Sequence, residues 1–107
     1  MEIKDFCTGI QHIGIPTNDI KATIAFYEQL GFQVVFQTIN QGESVAFLQL
    51  GNLVIETYES KSAVMQAGAI DHIALDVKDI DTLYEVMKDK HFHLLDNRVN
   101  YLPFWGH

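Results

Sequence analysis

Apolar positions follow two different periods in the first sixty residues. Residues 10–16 alternate and are rich in isoleucine, which predicts a β-strand. Apolar residues then recur at helical spacing from Ile20 to Leu30, and Asn18 and Asp19 stand where a helix N-cap belongs. Three further strands are predicted at residues 32–39, 44–50 and 53–59, the last two joined by the two-residue turn Gly51-Asn52. The predicted order is βαβββ.

The same pattern starts again sixty positions later. Residues 10–36 align with 70–96 without a gap, and a shared period of this kind indicates a duplicated structural unit. We therefore expect a second strand at 70–77, followed by a helix that begins after Asp79 and by another strand. The identical pairs are Ile10/Ile70, His12/His72, Ile13/Ile73, Asp19/Asp79, Ile20/Ile80 and Phe32/Phe92.

These patterns predict an α+β chain of tandem βαβββ modules. We expect one domain over 1–107, with module one at 8–59, a linker at 60–68 and a partial module two at 69–107. Adding the period to Glu56 places its counterpart near residue 116, past the last residue of this sequence. The second module is therefore expected to be incomplete.

Composition narrows the classes of function. The chain has 14 acidic and 7 basic residues and a net charge of −7, which disfavours a nucleic-acid partner or an anionic membrane surface. No apolar run is long enough to span a membrane, and no signal peptide is visible. The single cysteine, Cys7, cannot form an intramolecular disulfide. We expect a cytoplasmic protein.

One carboxylate stands out against the apolar pattern. The hairpin turn pairs Leu48 with Ile55 and Phe47 with Glu56, so Glu56 lies on the face opposite the apolar one, beside an aromatic ring. The predicted apolar face, which should lie under the helix, consists of Ala46, Leu48, Leu50, Leu53 and Ile55. A carboxylate in the middle of an apolar strand is costly unless it meets water or a cation.

His12, His72 and Glu56 together form a two-histidine, one-carboxylate set, which suits a divalent metal. Each residue alone has an ordinary explanation, because a strand histidine is commonly tolerated in a core or on a surface and a glutamate commonly faces solvent. Two histidines at equivalent positions of a duplicated strand favour a metal site instead.

The chain resembles the vicinal oxygen chelate superfamily, and its glyoxalase-like members most closely. This superfamily includes glyoxalase I, methylmalonyl-CoA epimerase, ring-cleaving dioxygenases and bleomycin-binding proteins. The resemblance is carried by "IQHIGIPTNDIKATIAFYEQLGF", "GNLVIETYE" and "IDHIALDVKDID". It implies modules that curl into an open barrel around a cleft. It also implies a divalent metal (nickel, cobalt, zinc or iron) held by His12, Glu56 and His72.

The resemblance implies an enzyme, either a lyase of the lactoylglutathione lyase (glyoxalase) type or an epimerase. The metal would stabilise an enediolate while Glu56 acts as the base. Two alternatives remain open: a non-catalytic small-molecule binding protein of the bleomycin-resistance kind, and a ring-cleaving dioxygenase. Phe47, Phe104 and Trp105 are candidates to line the substrate pocket.

A homodimer is also expected. The second sheet of the predicted fold would end after about two strands, which would leave backbone groups unpaired. An apolar strip accompanies that edge and would promote association. The strip contains Tyr101, Leu102, Phe104 and Trp105.

Overall fold

A computed structural model describes residues 1–66, 68, 70, 72–101 and 103 of the chain. The chain divides into two units, Met1–Asp71 and His72–His107. The first unit opens with a short 3-10 turn at Ile3–Asp5 and continues as a βαβββ sequence, as predicted. Its elements are β1 (Ile13–Thr17), α1 (Ile20–Gln29), β2 (Gln33–Asn40), β3 (Glu43–Leu50) and β4 (Leu53–Glu59).

The four strands form one open sheet in the order β1-β4-β3-β2. β1 runs parallel to β4, and the other two neighbouring pairs are antiparallel. The β3–β4 hairpin has the predicted register, with Phe47 opposite Glu56 and Leu50 opposite Leu53. Gly51 opens its turn with φ +59°, which glycine adopts without the steric cost that a side chain would add.

Helix α1 covers one face of the sheet. Asp19 caps its first turn, because Asp19 Oδ1 accepts a hydrogen bond of 3.1 Å from the Ala22 backbone N–H. Phe32, Leu48 and Ile55 form the buried cluster beneath the helix. Partly buried apolar residues pack around this cluster, namely Ile15, Ile24, Tyr27, Leu30, Val34, Leu50 and Leu53. The predicted apolar face of the hairpin is therefore confirmed as the core.

The second unit contains α2 (Ile80–Asp89), the helix that the repeat predicts. Its half-buried side chains lie at helical spacing, at Ile80, Leu83, Tyr84 and Met87. In the described part of the chain, no helix combines the length and the apolar character needed to cross a membrane.

The duplication extends to the ends of both helices. After α1, the Phe32 N–H donates to the Tyr27 carbonyl at 3.1 Å; after α2, the Phe92 N–H donates to the Met87 carbonyl at 3.1 Å. Each of these bonds closes a turn through a residue in the left-handed region, Gly31 at φ +105° in the first copy and His91 at φ +64° in the second. The sixty-residue period is thus a structural repeat.

Two sequence predictions about strands need correction. The first strand begins at Ile13, because residues 10–12 make no ladder bonds to β4. The prediction of a strand at 70–77 is wrong for the described residues, because 72–78 contain no strand. The further strand predicted after α2 is also absent from the described residues from 92 onward. β1 is held by parallel pairing with β4 (Leu53–Glu59). Among the described residues, no strand follows α2 that could pair with 70–77 in the same way.

Candidate functional site

The sheet face opposite α1 carries a row of residues in register across all four strands. Gly14 on β1 is paired with Glu56 on β4, Glu56 with Phe47 on β3, and Phe47 with Phe36 on β2. A one-residue irregularity at Val35 brings Phe36 into this row. Gly14 has no side chain, so no atom of β1 lies over the Glu56 carboxylate at this position. A Cβ placed there would stand 3.6 Å from Tyr58 Cε1 and 3.8 Å from Glu56 Oε1, both ordinary contacts.

His12 lies directly before β1 and approaches this carboxylate. Its Nε2 is 3.5 Å from Glu56 Oε1, and the side chains are 30% and 28% exposed, respectively. A well-formed N–H···O hydrogen bond spans about 2.7–3.2 Å, so the two atoms face each other beyond that range. The fold therefore brings together two of the three residues predicted from the sequence, on the open face of the first unit.

The other ring nitrogen of His12 contacts a neighbour that sequence reasoning missed. His12 Nδ1 lies 2.9 Å from Gln11 Oε1. A carbonyl oxygen accepts a hydrogen bond, and this contact is shorter than the 3.5 Å approach of Nε2 to Glu56 Oε1, so the geometry favours the tautomer of a neutral His12 with the proton on Nδ1 and the lone pair on Nε2. In that tautomer Nε2 and the Glu56 carboxylate face each other as two acceptors, an arrangement that a cation between them would stabilise.

The spacing of these two donors fits a bound divalent metal. Ligand nitrogen and oxygen atoms stand about 2.0–2.2 Å from a tetrahedral ion such as zinc, so two of them lie about 3.4 Å apart. Nε2 and Oε1 are separated by 3.5 Å. An imidazole nitrogen and a carboxylate oxygen are also donors that zinc, nickel, cobalt and iron accept. The pair fits two positions of such a site.

His72 opens the second unit, and its side chain is exposed. Its participation in a common site with His12 and Glu56 remains a prediction based on the repeat. Within residues 1–66, 68, 70, 72–101 and 103, the structure shows no group of three or more His, Cys, Asp or Glu side chains arranged to hold a metal.

Aromatic side chains flank the His12–Glu56 pair. The Phe47 ring meets the His12 ring edge-on, with centroids 5.3 Å apart, and lies 6.2 Å from the Phe36 ring. Phe47, which the sequence predicts to line the substrate pocket, lies beside the His12 ring, whereas Phe104 and Trp105 are outside the described residues. Phe36 was not predicted, because the irregularity at Val35 shifts the strand alternation.

A shallow cavity of about 290 Å³ opens beside His12. Its lining is mainly apolar, with Ile10, Ile13, Leu53 and Val54 around the polar side chains of Gln11, His12 and Asn52. Sequence reasoning did not predict that Gln11 lies at the site. Its only signal was its position next to His12, and the alternation of a regular strand places adjacent side chains on opposite faces.

The family model described as the Glyoxalase/Bleomycin resistance protein/Dioxygenase superfamily matches residues 9–101. Among solved structures, the chain is similar to a glyoxalase family protein from Enterococcus faecalis, with a TM-score of 0.71 and 21% identity. That match covers 94% of this chain and 85% of the other. The protein SMU.1112c is similar with a TM-score of 0.69 and 17% identity, over 92% of this chain and 85% of that one.

No curated protein matches the sequence. At these identities, the two structural matches establish a common fold. The family model covers most of the chain, from the residue before Ile10 to Tyr101. The chain therefore belongs to the Glyoxalase/Bleomycin resistance protein/Dioxygenase superfamily.

Proposed function

We propose that the chain is a metal-dependent lyase or isomerase of the glyoxalase or epimerase type, with His12, Glu56 and His72 as metal ligands. The observation that carries this proposal is the His12–Glu56 pair, whose Nε2 and Oε1 atoms are held 3.5 Å apart on the open face of the sheet. Members of the superfamily often bind divalent metals, and the repeat adds His72 as the residue equivalent to His12.

A divalent metal held by His12, Glu56 and His72 would supply a Lewis acid for adjacent oxygens of a small substrate. The protein's own residues supply orientation and proton transfer. The Glu56 carboxylate faces the open side of the sheet and is partly exposed, so a substrate carbon could approach it there. Glu56 then accepts the proton from that carbon and returns it to the neighbouring position or to the other face.

The activity is tested by proton exchange in deuterated water. The protein is incubated with nickel, cobalt, zinc or iron(II) and with three substrates: the hemithioacetal of a 2-oxoaldehyde and a thiol, a 2-substituted acyl thioester, and a catechol with oxygen. We expect metal-dependent deuterium incorporation next to the carbonyl of one of the first two substrates, measured by NMR. Ring cleavage of the catechol would replace this proposal with the dioxygenase function.

Glu56→Gln removes the base, and with it a proposed metal ligand, while it preserves the shape of the side chain. We expect the rate of deuterium exchange to fall at least 100-fold, because a positioned acid or base usually contributes about 10²–10⁴-fold to the rate. Glu43→Gln is the matched control, because Glu43 is exposed, lies four residues from Phe47 on β3 and carries the same charge. Equal activity of the wild type and Glu56→Gln would refute the assigned role.

The aromatic row supports a second candidate, a non-catalytic binding protein of the bleomycin-resistance kind. Phe36 and Phe47 offer an apolar surface to a flat ligand, and Phe36 is 57% exposed. Such a protein would bind planar aromatic compounds in the presence of a chelator. Loss of binding on chelation would favour the metal-dependent function.

A further inference from the structure

We propose that Gln11 is a positioning residue that fixes the tautomer of His12 and thereby directs Nε2 toward Glu56. The first part of this inference concerns the metal-free protein. The second part, that the orientation strengthens metal binding, rests on the proposed function. The contact that carries both is the 2.9 Å approach of Gln11 Oε1 to His12 Nδ1.

The local backbone explains how two adjacent side chains can meet. Neighbouring residues of a regular strand point to opposite faces. Gln11 and His12 precede Ile13, where the ladder to β4 begins, so the strand geometry does not separate them. The carboxamide can therefore lie beside the ring of the next residue.

The ring of His12 is held from two sides. Gln11 binds Nδ1, and the edge-on contact with Phe47 limits rotation of the ring, at a centroid distance of 5.3 Å. With the proton on Nδ1, the lone pair of Nε2 faces Glu56 Oε1. A histidine that ligates a metal through one nitrogen typically donates its other N–H to a carbonyl or carboxylate oxygen, which sets the ring orientation and raises the basicity of the ligand. Gln11 has the chemistry for that role.

The repeat pairs Gln11 with Asp71, which precedes His72 in the sequence. Both residue types carry an oxygen that accepts a hydrogen bond. The sequence thus places an acceptor immediately before each of the two duplicated histidines, a pattern that a purely solvent-exposed Gln11 does not require.

The tautomer is read directly by imidazole ¹⁵N NMR of the metal-free protein, at a pH well above about 6.5, the ordinary pKa of a histidine side chain. The His12 signals are assigned by their absence in His12→Ala. We expect the wild type to carry the proton on Nδ1. Gln11→Met, which has similar length and no amide oxygen, should lose that preference, and Gln11→Glu, which retains an acceptor, should keep it.

A proton on Nε2 in the wild type, or an unchanged tautomer in Gln11→Met, would overturn the inference. Circular dichroism of each variant checks that the fold is intact, which we expect because Gln11 is exposed. A residue with a merely structural role would not move the tautomer.

Calorimetric titration with zinc(II) tests the second part. Gln11→Met should weaken binding by about 10–100-fold, the usual effect of losing such an outer partner, and Gln11→Glu should restore it. Unweakened binding by Gln11→Met would refute that part. If the wild type binds no metal, the proposed function fails, and the tautomer measurement alone still decides whether Gln11 positions the ring.

Discussion

His91 occupies a backbone position that suits glycine. It follows α2 at φ +64°, where the first copy of the repeat has Gly31 at φ +105°. A residue with a Cβ pays a steric cost of about 1–2 kcal/mol in the left-handed region. The second copy therefore carries local strain that the first copy avoids.

Replacing His91 with glycine should stabilise α2. We expect a gain of about 0.5–1 kcal/mol in the free energy of opening, because glycine relieves the strain but loses more entropy on folding. Hydrogen exchange of the α2 amides measures this quantity.

Gly31→Ala is the matched control and should destabilise α1 by about 1 kcal/mol or more. Its new Cβ would lie 3.7 Å from Leu50 Cδ1, an ordinary contact, so the cost comes from the backbone conformation. Faster α2 exchange in His91→Gly than in the wild type would contradict this account.

At the scale of elements, the two helices differ in how they start. Asp19 has φ −147° and ψ 88°, and its side chain accepts a hydrogen bond from the Ala22 N–H. Asp79, its counterpart in the repeat, has φ +53° and makes no side-chain cap bond. The sequence predicts a cap at both positions, and the backbone conformation allows it at only one.

Asp19→Ala should lower the free energy of unfolding by about 1 kcal/mol, the usual contribution of an N-cap. Asp79→Ala should cost clearly less, because it removes no cap hydrogen bond. Urea unfolding of the two variants beside the wild type compares these losses. Equal losses would show that the difference between the two caps has no energetic consequence.

Local signals made parts of the fold predictable. The two-residue turn at Gly51 sets the hairpin register, so the Phe47–Glu56 pair follows from the sequence. Helix α2 could be predicted from the spacing of its apolar residues alone. The strand at 70–77 could not be predicted reliably, because a strand depends on a partner that local pattern does not report. The Gln11–His12 contact could not be predicted, because it requires β1 to begin at Ile13 and the sequence pattern does not locate the end of a strand to a single residue.

At the scale of the whole molecule, β2 forms one edge of the open sheet. Val35 and Ile39 on this strand are 53% and 70% exposed. In the described part of the chain, β2 pairs only with β3, so its outer backbone groups remain available. An apolar edge strand of this kind offers a template for pairing with another chain. Three members of the strip first predicted to promote dimerisation, Leu102, Phe104 and Trp105, lie outside the described residues.

We expect a homodimer in solution. Light scattering at micromolar concentration should give a mass of about twice the 12.2 kDa of one chain. Ile39→Lys should yield a monomer, since a lysine blocks edge pairing. Val64→Lys is the matched control, because Val64 is 67% exposed and lies outside the sheet. A wild type that stays at the mass of one chain would rule out the dimer.

His12, Glu56 and His72 are proposed to hold a divalent metal. Calorimetric titration of nickel, cobalt, zinc and iron(II) into the wild type, His12→Ala, Glu56→Gln and His72→Ala tests this site. His93→Ala and Glu43→Gln serve as controls of matched chemistry on exposed residues. We predict stoichiometric binding of at least one metal by the wild type and both controls, and a loss of that binding in each of the three site variants. Unchanged affinity in the site variants would contradict the account.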